Sequence, residues 1–270
     1  MLFALLYLGV MLFAPLLFGL VQAILRPGIF GWQMVAANRD FWNTVAFTLG
    51  VALAATAGSA VLAGLTSFWL WLRLPGSRVI LYGLAAVLLL PEFTAAASWY
   101  LVLARRSLSW LGGVLQANPA ALLALVDAWR GWPVLSLILL AGLSQLSAAE
   151  IETVRLLGAR GPVLWGFLFS ALRPFWRVGL LVRFLQGIQL YAAGLLLFPG
   201  SRPPLLLEQI LEHAGAYRRV PAVAWISMLV VLLLGVACLV LLIPPLRAAG
   251  RQGRDVTIAV LPVERSGSGV

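Results

Sequence analysis

Between positions 44 and 72 the chain carries no charged residue. A helix needs roughly 20 apolar residues at about 1.5 Å rise each to cross the hydrocarbon core of a bilayer, and this run exceeds that length. Such a segment cannot be an ordinary surface helix of a soluble domain. Composition extends the argument to the whole chain. Of its 270 residues 62% are apolar and only 10% charged, and the mean hydropathy is +1.01. A soluble domain of this size has too little interior to hide that surface, so the sequence predicts an all-α, polytopic membrane protein.

Breaks of polarity, proline and glycine divide the chain into six predicted spans. The first covers about 2–25, too long and too poor in basic residues at its start for a cleaved signal peptide. Arg26-Pro27-Gly28 ends it, and a connector of interfacial polarity leads to the second span, about 43–72. A tight basic turn at 73–78 precedes the third, about 79–104. The fourth runs about 120–146, the fifth about 174–198 and the sixth about 221–243. A short amphipathic helix is expected at about 205–213. This gives a first helix and external connector at 1–42, a five-helix core at 43–246 and a flexible basic tail at 247–270.

The segment 147–174 separates two apolar regions. Ser147 followed three residues later by Glu150 forms a capping box, in which each side chain satisfies an orphan amide at a helix start. Gly158 stands where that helix would need a left-handed stop. Gly161-Pro162 then supplies a turn and a proline suited to the first position of a second helix. The sequence therefore predicts a short helix at about 148–157, a glycine corner and another short helix, outside the bilayer. Taken alone, this is a solvated connector.

The same residues resemble a family signature. Leu143, Leu146, Ser147, Glu152 and Gly158-Ala159 are spaced like the "E-A-A, three residues, G" cytoplasmic loop of permease subunits in binding-protein-dependent ABC importers. Thr153 and Val154 stand in place of that motif's alanines, and Leu157 replaces an aspartate common in the sugar-permease branch. Further likeness to sugar-type, maltose-class permeases lies in Phe41-Trp42-Asn43 with Thr48, in Pro91 with Trp99, in the run from Asp127 to Pro133 leading to Ala141-Gly142-Leu143, and in Gly215-Ala216-Tyr217.

The resemblance implies a six-helix type I importer fold with a coupling helix docked on a separate ATPase through Glu152, Thr153 and Arg155, with Gly158 and Ala159 at the corner. It also implies a second, similar permease subunit, two ATPase subunits that bind ATP and Mg, and an external solute-binding protein. The location would be a prokaryotic cytoplasmic (inner) membrane with both termini inside. Placing the 147–174 loop in the cytoplasm agrees weakly with the distribution of arginines between the two sides.

Ionisable groups inside spans mark candidate pathway residues, since charge at bilayer depth costs at least ~2.5–3.5 kcal/mol. Glu92 lies in the third span. Asp127 and Arg130, three apart in the fourth, share a helix face and either pair structurally or line a solute pathway. Gly131 belongs to the same matching segment. Arg183, Gln186 and Gln189 (or Leu190) follow helical spacing along the fifth, although Arg183 could instead snorkel from the cytoplasmic end. Trp99 and Tyr100, with Trp129, Trp132 and Tyr191, are placed either to stack on a sugar or to pack and anchor.

Other classes are disfavoured. All 19 basic residues are Arg, and most are scattered through loops, where lipid headgroups and topology explain them better than nucleic acid does. Cys238 and His213 are each the sole residue of their type, so no disulfide framework or metal cluster is expected. The chain lacks the G-x-x-x-x-G-K-S/T phosphate loop and is read as a transport subunit rather than an enzyme, without a cofactor of its own. Carbohydrate is the first expectation for the solute. Alternatives are a polyamine, thiamine or other small-solute permease, or an ion-coupled carrier using Glu92, Asp127 and Arg183.

Overall fold

The computed structural model describes residues 35–104, 117–156, 162–198 and 203–214, with isolated positions before 35, at 113 and between 226 and 240. The expected first and sixth spans are described only at isolated positions, and the Gly158-Ala159 corner, Gly215-Ala216-Tyr217 and the basic tail lie outside the described residues. All regular secondary structure among the described residues is α-helical. The helices are α1 (Arg39–Trp71), α2 (Ser77–Leu89), α3 (Glu92–Ala104), α4 (Pro119–Leu143), α5 (Ala148–Leu156), α6 (Pro162–Ala171), α7 (Arg173–Ile188), α8 (Ala192–Leu197) and α9 (Leu206–Ala214).

Two of these, α1 and α4, are long and apolar enough to cross a membrane, and α2 with α3 makes a third if that bent pair is one span. The 33 residues of α1 reach ~50 Å against a core of ~30 Å, so it projects beyond the bilayer or tilts within it. Its buried positions, among them Thr48, Ala52, Ala55, Ser59 and Ala63, recur every three or four residues and face α4. Small side chains allow the backbones to approach closely where lipid supplies no hydrophobic drive between helices. A Cβ on Gly58 would stand 3.0 Å from the Ala128 Cβ. Hydroxyls on this seam return bonds to their own helices or cross it. Thr56 Oγ1 donates to the Ala52 carbonyl at 2.7 Å, and the Thr66 and Ser136 hydroxyls meet at 2.8 Å.

Contacts set the directions of the three central helices. Ser59 meets Ala128 and Thr66 meets Ser136, so α1 and α4 run parallel. Gly142 approaches Phe175, Gly179 approaches Leu135 and Asp127 meets Arg183, so α7 runs antiparallel to both. The C-terminal ends of α1 and α4 and the N-terminal end of α7 therefore share one end of the bundle.

Two predicted spans are broken rather than continuous. The third turns through 111° between α2 and α3. Pro91 offers no amide for the helix and disfavours α geometry at the residue before it, and Leu90 is extended with ψ 120°. The fifth ends as α7 at Ile188, passes through Gln189, Leu190 and Tyr191, and resumes as the six-residue α8. At 16 residues α7 reaches only ~24 Å, less than a full crossing. Periodicity alone carried the pattern through both breaks.

The remaining boundaries lie close to expectation. The 73–78 turn closes α1 with a Schellman motif, in which the Leu74 amide reaches the Trp69 carbonyl at 3.3 Å and the Arg73 amide reaches that of Leu70 at 3.1 Å. Arg73 takes the left-handed conformation there, with φ 51°. The amphipathic helix is α9, tethered to α1 where the Leu206 amide donates to Thr48 Oγ1 at 3.1 Å. Helix α2 buries only Leu84, leaving Val79, Tyr82 and Leu89 exposed, as suits a helix whose surroundings are lipid or another subunit.

Candidate functional site: a buried charge cluster at two helix breaks

Four charged side chains from three helices form one chain of contacts, Glu92–Arg130–Asp127–Arg183, with two charges of each sign. Asp127 on α4 and Arg183 on α7 have no solvent exposure. Each ion carries a desolvation penalty of several kcal/mol in such a place, tolerable only with close, well-bonded partners. Arg183 is well supplied. Its Nη2 donates to the Asp127 carboxylate and, at 2.6 Å, to the Asp127 carbonyl, while its Nε donates to Ser59 Oγ at 2.9 Å. Ser59 passes its own proton to the Ala128 carbonyl at 3.0 Å, tying α1 into the cluster.

Glycine makes the room. A Cβ at Gly131 would overlap the Arg183 side chain, and one at Gly187 would lie 3.0 Å from the Ala52 Cβ and 3.3 Å from Asp127 Oδ2. Replacing Gly131 by alanine is therefore expected to displace the guanidinium from Asp127 and cost about 1–3 kcal/mol. Thermal unfolding of the detergent-solubilised protein checks this. An unchanged midpoint would show that Arg183 shifts without loss.

The outer half of the cluster is wetter. Arg130 and Glu92 side chains are 22% and 25% exposed and meet at 3.0 Å, while Arg130 Nε stands 3.7 Å from Asp127 Oδ1. That second distance is a charge contact too long for a hydrogen bond, and Asp127 Oδ1 has no hydrogen-bond partner among the described residues, nor has Arg183 Nη1. The other oxygen of Glu92 accepts from the Tyr191 and Ala192 amides at 2.8 and 2.9 Å. A broken helix frees backbone amides that lipid cannot satisfy, and Glu92, placed by the Pro91 break at the start of α3, satisfies two of them at the α7–α8 break. One carboxylate thus ties the two interruptions together and joins both to α4.

Of the residues singled out from sequence, Glu92, Asp127, Arg130 and Gly131 come together here. Trp99 packs edge-on against Trp129 at 5.9 Å between ring centres, and the pair borders a cavity of about 210 Å³ shared with Ser98 and Val102. Tyr100 is exposed on α3. Gln186 is half-buried and makes no hydrogen bond with the cluster, and Gln189 is exposed at the C-cap of α7. The polar stripe on the fifth span is therefore carried into the cluster by Arg183 alone. Snorkelling is excluded for Arg183 by its complete burial. Sequence reasoning missed Ser59 altogether; the small-residue pair Gly58-Ser59 opposite Ala128 was its only signal.

At the end where α4 terminates, α5 begins with the expected capping box. Glu150 Oε2 accepts from the Ser147 amide at 2.8 Å, and the Glu150 amide donates to Ser147 Oγ at 3.1 Å. Ile151 and Val154 are half-buried, whereas Glu150, Glu152, Thr153 and Leu156 are exposed. Thr153 Oγ1 is turned onto its own helix, donating to the Ala149 carbonyl at 2.7 Å. Arg155 belongs to the helix, and Leu156 is 82% exposed at its end. Helix α5 makes at most marginal contact with the other described helices. No protein-family model and no curated protein matches the chain.

Proposed function

We propose that this chain is the transmembrane subunit of an ATP-driven ABC importer, providing half of a pathway for a carbohydrate and coupling to a separate ATPase through α5. The observation that carries the reading is α5 itself, a capped helix held outside the bundle with Glu152, Thr153 and Leu156 uncovered. A connector needs neither a defined start nor an exposed apolar end, whereas a docking element uses both. The sequence resemblance around Glu152 and Gly158 supports the same role.

The resemblance puts the α5 end of the bundle in the cytoplasm of a prokaryotic inner membrane, and the arginines of the whole sequence agree with that orientation only weakly. Solute would pass beside the exposed half of the cluster, Glu92 and Arg130, with the Trp99–Trp129 pair offering ring faces to a sugar. A 210 Å³ cavity is a half-site for such a ligand, which a second permease subunit would complete. An external solute-binding protein and two ATPase subunits that bind ATP and Mg would make up the assembly.

A second reading is favoured by the cluster. Broken helices with a carboxylate at the break are also how ion-coupled carriers build their sites, and Glu92, Asp127 and Arg183 supply the groups. Purification from the native membrane separates the two readings. An importer subunit brings ATPase subunits with it and transports only with ATP. Recovery as a single component that moves solute in liposomes without ATP would overturn the importer reading and favour the carrier.

A further inference from the structure

A slot at the α5 end of the bundle, where α1, α6 and α7 meet, belongs to neither the charge cluster nor α5. It encloses about 460 Å³ and is walled by Gly64 and Phe68 of α1, Trp165 and Phe169 of α6, and Trp176 of α7. The rings hold one another in place. Phe68 meets Trp165 edge-on at 4.9 Å, and Phe169 stacks on Trp176 at 6.4 Å. Gly64 keeps the back wall low, since a Cβ there would only touch the Trp176 ring at 3.5 Å and anything longer would project inward. Val61 and Leu65 at the rim are exposed, so the slot opens onto the apolar outer flank of α1.

Two basic residues flank it on α7. Arg173 lies one turn before Trp176 on the same face of α7, and Arg177 lies four residues beyond Arg173; both are exposed, and neither is ion-paired among the described residues. Residues three or four apart are neighbours on a helix surface, so two positive charges collect where α7 begins.

We propose that the slot binds one anionic phospholipid, with an acyl chain between Gly64 and the aromatic rings and the phosphate held by Arg173 and Arg177. An acyl chain fits where a helix about 10 Å across does not, and basic clusters beside membrane helices recognise anionic headgroups. The assignment rests on the membrane placement of α1 and is independent of what the protein transports.

Native mass spectrometry of the purified protein, with whatever subunits accompany it, tests this by titration with phosphatidylglycerol, phosphatidylcholine of the same chains, and glycerol phosphate. One phosphatidylglycerol should be retained in preference to phosphatidylcholine, and glycerol phosphate should not bind. Arg173→Gln with Arg177→Gln should weaken phosphatidylglycerol roughly 10- to 30-fold and abolish the preference. Gly64→Phe should weaken both lipids by filling the slot. Circular dichroism of each variant establishes that the helices remain, and the arginines are exposed enough to be replaced without unfolding. Equal retention of the two lipids by the unaltered protein, unchanged binding in the double arginine variant, or unchanged binding in Gly64→Phe each overturns the proposal. Glycerol phosphate binding that the arginine substitutions remove would mark a free-phosphate site instead, and would also overturn it.

Discussion

Replacing Arg183 by leucine is expected to cost about 3–5 kcal/mol, the range for stranding a buried charge without its partner. The Asp127 carboxylate would keep only Arg130 at 3.7 Å, and Ser59 Oγ would lose its donor. Few single substitutions elsewhere in the described chain remove as much. Asp127→Asn should be damaging for the mirror-image reason, since it strands Arg183 beside Gly131. The double variant Asp127→Asn, Arg183→Gln should recover much of the loss, because two neutral amides can bond to one another without ionic desolvation. With Arg183→Gln alone as the fourth corner, unfolding midpoints of the solubilised proteins form a double-mutant cycle. Additive losses would mean that the two side chains do not act as a pair.

The second large effect concerns α5. Glu152→Ala removes an exposed charge and Leu156→Asp puts a charge on an exposed apolar end, and neither residue supports the fold. Under the importer reading both lie in a protein interface. Truncating a docking contact there is worth about 2 kcal/mol or more, which corresponds to roughly a 30-fold loss of affinity. The expected phenotype is normal membrane level, an unchanged unfolding midpoint, and loss of ATPase association or of solute-stimulated hydrolysis. Gly158→Val should act similarly by opposing the left-handed corner that the sequence predicts there, at about 1–2 kcal/mol. Full transport by all three variants would reduce α5 to a connector.

Helix existence and the ends of most helices were legible because they rest on local chemistry. The Ser147–Glu150 box and the 73–78 turn involve only neighbouring residues. The breaks at Pro91 and Gln189 were not legible, because the apolar pattern continues through them and what stabilises them is distant. Glu92 reaches amides about a hundred positions away. Pro91 was a local warning at the first break; the second had no comparable signal.

The site was half legible for the same reason. Charges within apolar runs pointed to Glu92, Asp127 and Arg130, but nothing local paired Asp127 with Arg183 across 56 positions. Gly131 and Gly187 carried that information in retrospect, each standing on a separate helix where the guanidinium or its partner carboxylate needs space. Gln186 and Gln189 share the helical spacing of Arg183, yet the end of α7 at Ile188 takes Gln189 out of the stripe.

The central claim is that α5 docks on an ATPase. A photo-crosslinking amino acid placed at Glu152, activated in the native membrane, tests it most directly, with the adduct identified by mass spectrometry. The account predicts one dominant adduct with a nucleotide-binding subunit carrying the phosphate loop that this chain lacks, and a yield that changes with bound ATP. Adducts confined to lipid, to another part of this chain, or to no protein at all would contradict it.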